Sequence, residues 1–186
     1  MARLQRLVAL IDTINTAVGR AVMWLAVAMA VFQLGNVILR YVFSIGSIAM
    51  QQSIWYMHGL LFMLGAGFAL MVDGHVRVDV FYRPASARTK AWIDLFGTIF
   101  FLLPLCVLTF VLSYSYVLNS WRVLEGSTEM SGLPFIYLLK TAIWAFSLLL
   151  GLQGIALGAR AVLFLSGAVE VYRPARDLAP VEKSIA

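Results

Sequence analysis

The feature that most constrains the fold is an apolar stretch from Ile54 to Val72 that ends abruptly in a charged segment. Within it, His58 is the only side chain that ionises near neutral pH. A helix of this length, at about 1.5 Å per residue, crosses a hydrocarbon layer about 30 Å thick. The segment that follows, Asp73-Gly74-His75-Val76-Arg77-Val78-Asp79, carries a density of charge that belongs at a lipid–water boundary. The stretch therefore predicts a transmembrane helix that ends near Asp73.

Composition extends this prediction to the whole chain. Of its 186 residues, 62% are hydrophobic and only 12% are charged, which leaves too little polar surface to enclose a soluble core. The single cysteine, Cys106, allows neither a disulfide within the chain nor a thiol-rich metal cluster. The net charge of +5 fits basic residues at span ends, so we expect no nucleic-acid binding.

The first residues have the pattern of an amphipathic helix. Apolar side chains recur at the i, i+3, i+4 and i+7 spacing of one helical face, at Leu4, Leu7, Val8, Ile11, Ile14 and Val18. Asp12 interrupts the apolar run too early for the core of a signal peptide. We therefore predict an interfacial helix over residues 3–18, lying along the membrane surface.

The rest of the chain predicts an all-α membrane protein with four transmembrane helices in a single domain, residues 1–186. The spans are expected over residues 21–39, 51–72, 92–121 and 136–165, with a loosely ordered tail over 170–186. Pro104 lies inside the third span, where it removes one backbone hydrogen bond and is expected to bend the helix. Gly154 and Gly158 form a GxxxG packing face in the fourth.

The distribution of basic residues predicts the topology. Eleven Lys and Arg residues lie in the N-terminal stretch, the loop between spans two and three, and the C-terminal end, where Arg160 is counted with the tail; three lie on the other side. Because Lys and Arg are enriched in cytoplasmic loops, both termini are expected in the cytoplasm.

Polar side chains within the spans are few. Gln33 and Asn36 lie three residues apart on one face of the first span, where they either pack inward or line a substrate path. His58 falls near the predicted start of the second span, and a hydrogen-bonded packing role is favoured over a proton or metal role.

Chemistry-bearing motifs do not stand out in the sequence. We find no GxSxG, HExxH, phosphate-binding loop or Cys/His cluster, so we predict no catalytic and no metal-binding residue. Four compact spans without inverted repeats also make a poor carrier. The pattern favours a membrane subunit that packs against a larger partner.

Several motifs together carry a family resemblance over about Leu7 to Leu165. The sequence resembles the small membrane subunit, the DctQ family, of tripartite ATP-independent periplasmic (TRAP) transporters. The resemblance rests on Asn36-Val-Ile-Leu-Arg40-Tyr41, Gln52-Ser-Ile-Trp55-Tyr56, Gly65-Ala66, His75-Val76-Arg77-Val78-Asp79 and Ala91-Trp92-Ile93-Asp94. One departure is that relatives commonly carry a glutamate just before the Trp-Tyr pair, where this chain has Gln51 and Gln52.

The resemblance implies a non-catalytic scaffold in a bacterial inner membrane. In such systems a periplasmic solute-binding protein delivers an organic acid or similar solute to a large membrane subunit of the DctM type, which moves it inward with a sodium gradient. The Na⁺ and solute sites are then expected on the large subunit, with no cofactor in this chain. The alternative is an independent four-helix protein, either a small exporter or a membrane anchor of a redox enzyme. A haem would need two axial ligands, and only His58 lies within a span.

Two sets of residues are candidates for contacts. The candidates for a partner or phospholipid interface are Gln52, Trp55, His75, Arg77, Asp79, Gly154 and Gly158. If the helix continues past Asp73, then Asp73 pairs with Arg77 and His75 with Asp79; if it unwinds at Gly74, alternate residues share a side. The segment is either a charged stop that fixes helix depth or a specific contact. Glu125 and Glu129 lie in a loop that is either a solvated turn or the contact for the binding protein.

Overall fold

The computed structural model describes residues 2–75 and 82–174, and these form a helical bundle with no strand. The helices are α1 (Ala2–Val42), α2 (Ile48–Met71), α3 (Ala87–Gly97), α4 (Leu103–Arg122) and α5 (Ile136–Leu165). A π-helical segment, Thr98–Leu102, joins α3 to α4. Four helical stretches are long and apolar enough to span a membrane: α1, α2, α3 with α4, and α5. The predicted all-helical chain with four candidate spans is confirmed.

The first helix is continuous, so the predicted interfacial helix is not a separate element. Its 41 residues extend about 60 Å, twice the thickness of a hydrocarbon layer. Gly19 marks the expected boundary, but it serves close packing instead of a break. A Cβ atom at Gly19 would lie 2.4 Å from Cγ of Phe68, so only glycine lets α1 approach α2 this closely. That the first residues lie along the membrane surface stays a prediction.

The spans pack in the order α1, α2, α5, α4. Helix α1 runs antiparallel to α2, because Gly19 meets Phe68 at one end and Asn36 bonds Gln51 at the other. Helix α5 runs parallel to α2 and packs on its other side. It is largely buried, whereas the other spans expose most of their length. Helix α5 is therefore the core of the bundle.

The third span contains a π turn at the point where the sequence predicts a disturbance. The backbone N–H of Leu103 donates to the carbonyl of Thr98, five residues earlier. Pro104 follows, and because proline has no N–H and crowds the preceding turn, the wider π turn accommodates it. The π segment packs on the glycine face of α5: a Cβ at Gly154 would lie 2.7 Å from Cδ2 of Leu102.

Three helices end in the same way, with a residue in the left-handed conformation after the last turn. Asp73, Leu124 and Gly167 have φ angles of 61°, 45° and 75°. In each case the next residue donates its N–H to a carbonyl five positions earlier, at 2.8 to 3.0 Å, which is the Schellman pattern. Helix α2 therefore ends before Gly74, and the alternative in which it continues past Asp73 is wrong.

Candidate functional site

A buried ion pair closes one end of the bundle. Nη2 of Arg160 lies 2.7 Å from Oδ1 and 2.6 Å from Oδ2 of Asp12, and Nη1 donates to the carbonyl of Pro174 at 2.9 Å. The side chains of Arg160 and Asp12 are only 14% and 9% exposed. Each charge is therefore stabilised mainly by the other charge and only slightly by water. The pair fixes the start of α1 to the last turns of α5.

Two amides extend this pair into the bundle. Nε2 of Gln153 donates to Oδ1 of Asp12 at 3.3 Å, and Nδ2 of Asn15 donates to Oε1 of Gln153 at 2.9 Å. Both amides are 1% exposed. Asn15 Oδ1 faces Gly67, where a Cβ would lie 2.2 Å away. We refer to Asp12, Asn15, Gln153 and Arg160 as the Asp12–Arg160 cluster.

The sequence contains two signals for this cluster. Asp12 and Asn15 lie three residues apart on the face that carries Val8 and Ile11, which packs against α5. Arg160 is the one charged residue in the last 25 residues of α5. Because a charged side chain within a span usually pairs with an opposite charge, the pairing of Arg160 with Asp12 could be inferred from the sequence. The sequence analysis predicts Arg160 only as a cytoplasmic charge, whereas in the structure it also pairs with Asp12.

At the other end of the bundle, Gln52 fastens the α4–α5 loop (residues 123–135). Its Nε2 donates to Oγ of Ser127 at 2.6 Å, and its Oε1 accepts the N–H of Leu133 at 2.7 Å. Gln52 is 8% exposed. The structure thus places this residue, predicted at a partner or lipid surface, inside the chain. An amide suits the position because it donates and accepts at once.

Glu125 and Glu129 are placed differently within the α4–α5 loop. Oε2 of Glu125 accepts from Nζ of Lys140 at 2.5 Å, and the Lys140 ammonium holds the pKa of the Glu125 carboxyl below its usual value. Lys140 also lies 3.9 Å from the centre of the Tyr116 ring. Glu129 is exposed, next to the fully exposed Met130. Of the two predicted contact residues, only Glu129 stands clear of the bundle.

Three side chains on α2 form an exposed ridge: Trp55, His58 and Phe62, which we call the Trp55 ridge. Trp55 and Phe62 are 61% and 71% exposed, and His58 is exposed between them. Because α2 begins at Ile48, His58 lies near the middle of the span and not near its start. Within residues 2–75 and 82–174 no side chain bonds its imidazole. The structure therefore does not show the predicted role of His58 as a hydrogen-bonded packing residue within the described chain.

The remaining predicted contact residues divide into three groups. His75 is exposed just beyond α2, and Arg77 and Asp79 lie outside the described residues. Gly154 and Gly158 face the chain's own π segment, at Leu102 and Thr98, so the third span already covers them. In the described part of the chain, no group of three His, Cys, Asp or Glu side chains is arranged to hold a metal ion.

These observations define a multi-pass membrane protein whose polar side chains tie its own helices together at both ends. The family comparison gives the narrower class: residues 29–164 match the model described as tripartite ATP-independent periplasmic transporters, DctQ component. The match covers well over half of the chain, and the chain belongs to this family, the small membrane component of TRAP transporters. No curated protein and no solved structure matched it.

Proposed function

We propose that this chain is the small, non-catalytic scaffold subunit of a sodium-coupled TRAP transporter that takes up an organic acid or a similar solute. The observation that carries the proposal is the DctQ match over residues 29–164. The transported solute and Na⁺ then bind to a large membrane subunit of the DctM type. A periplasmic solute-binding protein delivers the solute to that subunit.

The arrangement of polar contacts supports a scaffold role. One end of the bundle is held by the Asp12–Arg160 cluster, and the other by Gln52 and the Lys140–Glu125 pair. Moving α1 or the α4–α5 loop would break charge-assisted or buried hydrogen bonds, which costs more than breaking exposed ones. A bundle tied at both ends provides a fixed surface against which another subunit can move.

The orientation completes the proposal. With the basic residues in the cytoplasm of the bacterial inner membrane, the Asp12–Arg160 cluster lies at the cytoplasmic end and the α4–α5 loop faces the periplasm. Glu129 and Met130 then face the solute-binding protein. The segment His75 to Asp79 contacts phospholipid phosphates or the large subunit. A C-terminal alkaline phosphatase fusion tests this, because it is inactive if the terminus is cytoplasmic.

The function is tested by purification and by transport. The tagged chain, solubilised from its native membrane in mild detergent, is expected to retain the large TRAP subunit. Vesicles with the large subunit, this chain and the external binding protein should accumulate labelled organic acids on an inward Na⁺ gradient. Vesicles lacking this chain should not. Accumulation by this chain alone, or undiminished uptake without it, would contradict the proposal.

A further inference from the structure

The Trp55 ridge presents an ionisable side chain where a membrane protein rarely leaves one. Helix α2 has 24 residues and is about 36 Å long, and His58, its eleventh residue, lies within about 3 Å of its midpoint. Polar and ionisable residues within spans almost always face a bundle interior or a water-filled cavity. His58 instead is exposed on the surface of the described chain.

The neighbours of α2 leave His58 uncovered. Helix α1 packs on α2 through Gln51 and Phe68, and α5 packs on it through Gly59 and Gly67. At about 100° per residue, His58 falls between these two contact lines, together with Trp55 and Phe62. The imidazole is bracketed by two exposed rings, one turn away on each side.

A second polar side chain accompanies the ridge on α1. Gln33 is exposed and lies one turn before Asn36, whose amide donates to Gln51 of α2 at 2.9 Å. Gln33 therefore lies on the flank of α1 beside α2. Among the described residues nothing hydrogen-bonds it. The α1–α2 surface thus carries an amide and an imidazole, both unpaired within the described chain.

The third span provides the contrast that decides what covers this surface. From Ile99 to Leu112 it has no amide and no charged side chain. Its exposed large side chains are all apolar: Ile99, Phe100, Phe101, Leu105, Val107, Leu108, Phe110, Val111 and Leu112. Such a face is satisfied by acyl chains. The imidazole of the Trp55 ridge needs a hydrogen-bond partner, which acyl chains cannot provide. Lipid ester groups are too far away, because they lie about 15 Å from the midplane.

We propose that a transmembrane helix of another TRAP membrane component packs on the Trp55 ridge and hydrogen-bonds His58 near the middle of the membrane. A neutral imidazole offers one donor and one acceptor, so the partner helix presents a hydroxyl, amide, carboxyl or free backbone carbonyl at that depth. Trp55 and Phe62 supply the apolar contact on either side, and aromatic anchors of this kind dominate interface energetics. This inference rests on the proposed function and names the surface through which assembly occurs.

A matched pair of photo-crosslinking positions tests the surface in the native membrane. Phe62 and Phe101 are both phenylalanines, 71% and 68% exposed, each near the middle of its span. p-Benzoylphenylalanine in place of Phe62 should crosslink to the large membrane subunit, and in place of Phe101 it should not. Crosslinking at both positions, at Phe101 alone, at neither, or to a second copy of this chain would overturn the proposal.

A substitution tests the role of the imidazole itself. His58→Leu should reduce the large subunit retained in detergent about threefold to tenfold, the effect of losing one interhelical hydrogen bond. His58→Asn keeps a donor and an acceptor and should lose less. Equal retention by all three forms would overturn the role of His58. If the unmodified chain retains no large subunit, the proposed function fails instead, so the two failures are distinguishable.

Discussion

The Asp12–Arg160 cluster and the Trp55 ridge both place polar side chains in apolar helices, but only the cluster pairs them. In the cluster, Arg160 meets Asp12 at 2.6 Å, and two amides continue the network inside the bundle. In the ridge, His58 is exposed and has no partner among the described residues. The polar groups of the cluster therefore stabilise this chain itself, whereas those of the ridge are available to bind another chain. Changes in the cluster should therefore alter the stability of the isolated chain, and changes in the ridge should alter its assembly.

The largest effect is expected from breaking the ion pair. Arg160→Ala leaves the carboxylate of Asp12 buried and unpaired and should cost about 3–5 kcal/mol. The measurement is the midpoint of thermal unfolding in detergent, followed by size-exclusion chromatography. Arg20→Ala is the matched control, because Arg20 is an exposed arginine on α1, about two turns after Asp12. The double variant Asp12→Leu with Arg160→Leu should recover part of the loss, since neither charge remains. An Arg160→Ala midpoint equal to that of Arg20→Ala would remove the distinction between the two regions.

The next largest loss of stability is expected from a substitution of Gly67, which packs against Asn15 of the Asp12–Arg160 cluster. In Gly67→Ala the new Cβ would lie 2.2 Å from Oδ1 of Asn15 and 3.0 Å from the carbonyl of Leu149. Because Asn15 is held by Gln153, the helices must shift, and we expect a loss of about 1–3 kcal/mol. Gly97→Ala is the control: nothing lies within 4 Å of its Cβ, so helix propensity should make it neutral or slightly stabilising. Equal unfolding midpoints would show that the close approach at Gly67 is not required.

Gln52 extends the comparison to the other end of the bundle, where the polar contacts hold a loop. Gln52→Leu removes the acceptor of the Leu133 N–H and the donor to Ser127, at a cost of about 1–3 kcal/mol. Gln52→Glu keeps an acceptor for both groups and should lose less. Limited proteolysis within the α4–α5 loop is the appropriate measurement, because the loop should open before the bundle unfolds. If Gln52→Leu is cut no faster than the parent, Gln52 does not fasten this loop.

The main architecture was accessible from the sequence because lipid imposes simple rules. Apolar stretches of about 20 residues and a charged stop sufficed to predict four helical spans, and Pro104 marked where the third would be disturbed. What failed were inferences about which side of a helix a residue occupies. Gln52 and Gly154 were candidates for an outer surface but lie inside, and His58 was expected to pack but lies outside. When all faces of a helix are apolar, hydrophobic periodicity no longer distinguishes them, and only helix contacts decide.

The smallest effect concerns pH and separates the two glutamates of the α4–α5 loop. The Lys140 ammonium lowers the pKa of the Glu125 carboxyl from its ordinary value of 4.5. A carboxyl group whose pKa is lower in the folded state stabilises that state when the pH is above the ordinary pKa. This contribution is lost as the pH falls through the lowered pKa. Protection of the loop, followed by hydrogen exchange corrected for the intrinsic rate, should therefore be constant from about pH 7 to 5 and decline below about 4.5. Glu125→Gln should remove this part of the decline, and Glu129→Gln should leave it in place because Glu129 is exposed. A decline that persists in Glu125→Gln would assign it to other groups, and the Lys140 contact would then not help to hold the loop.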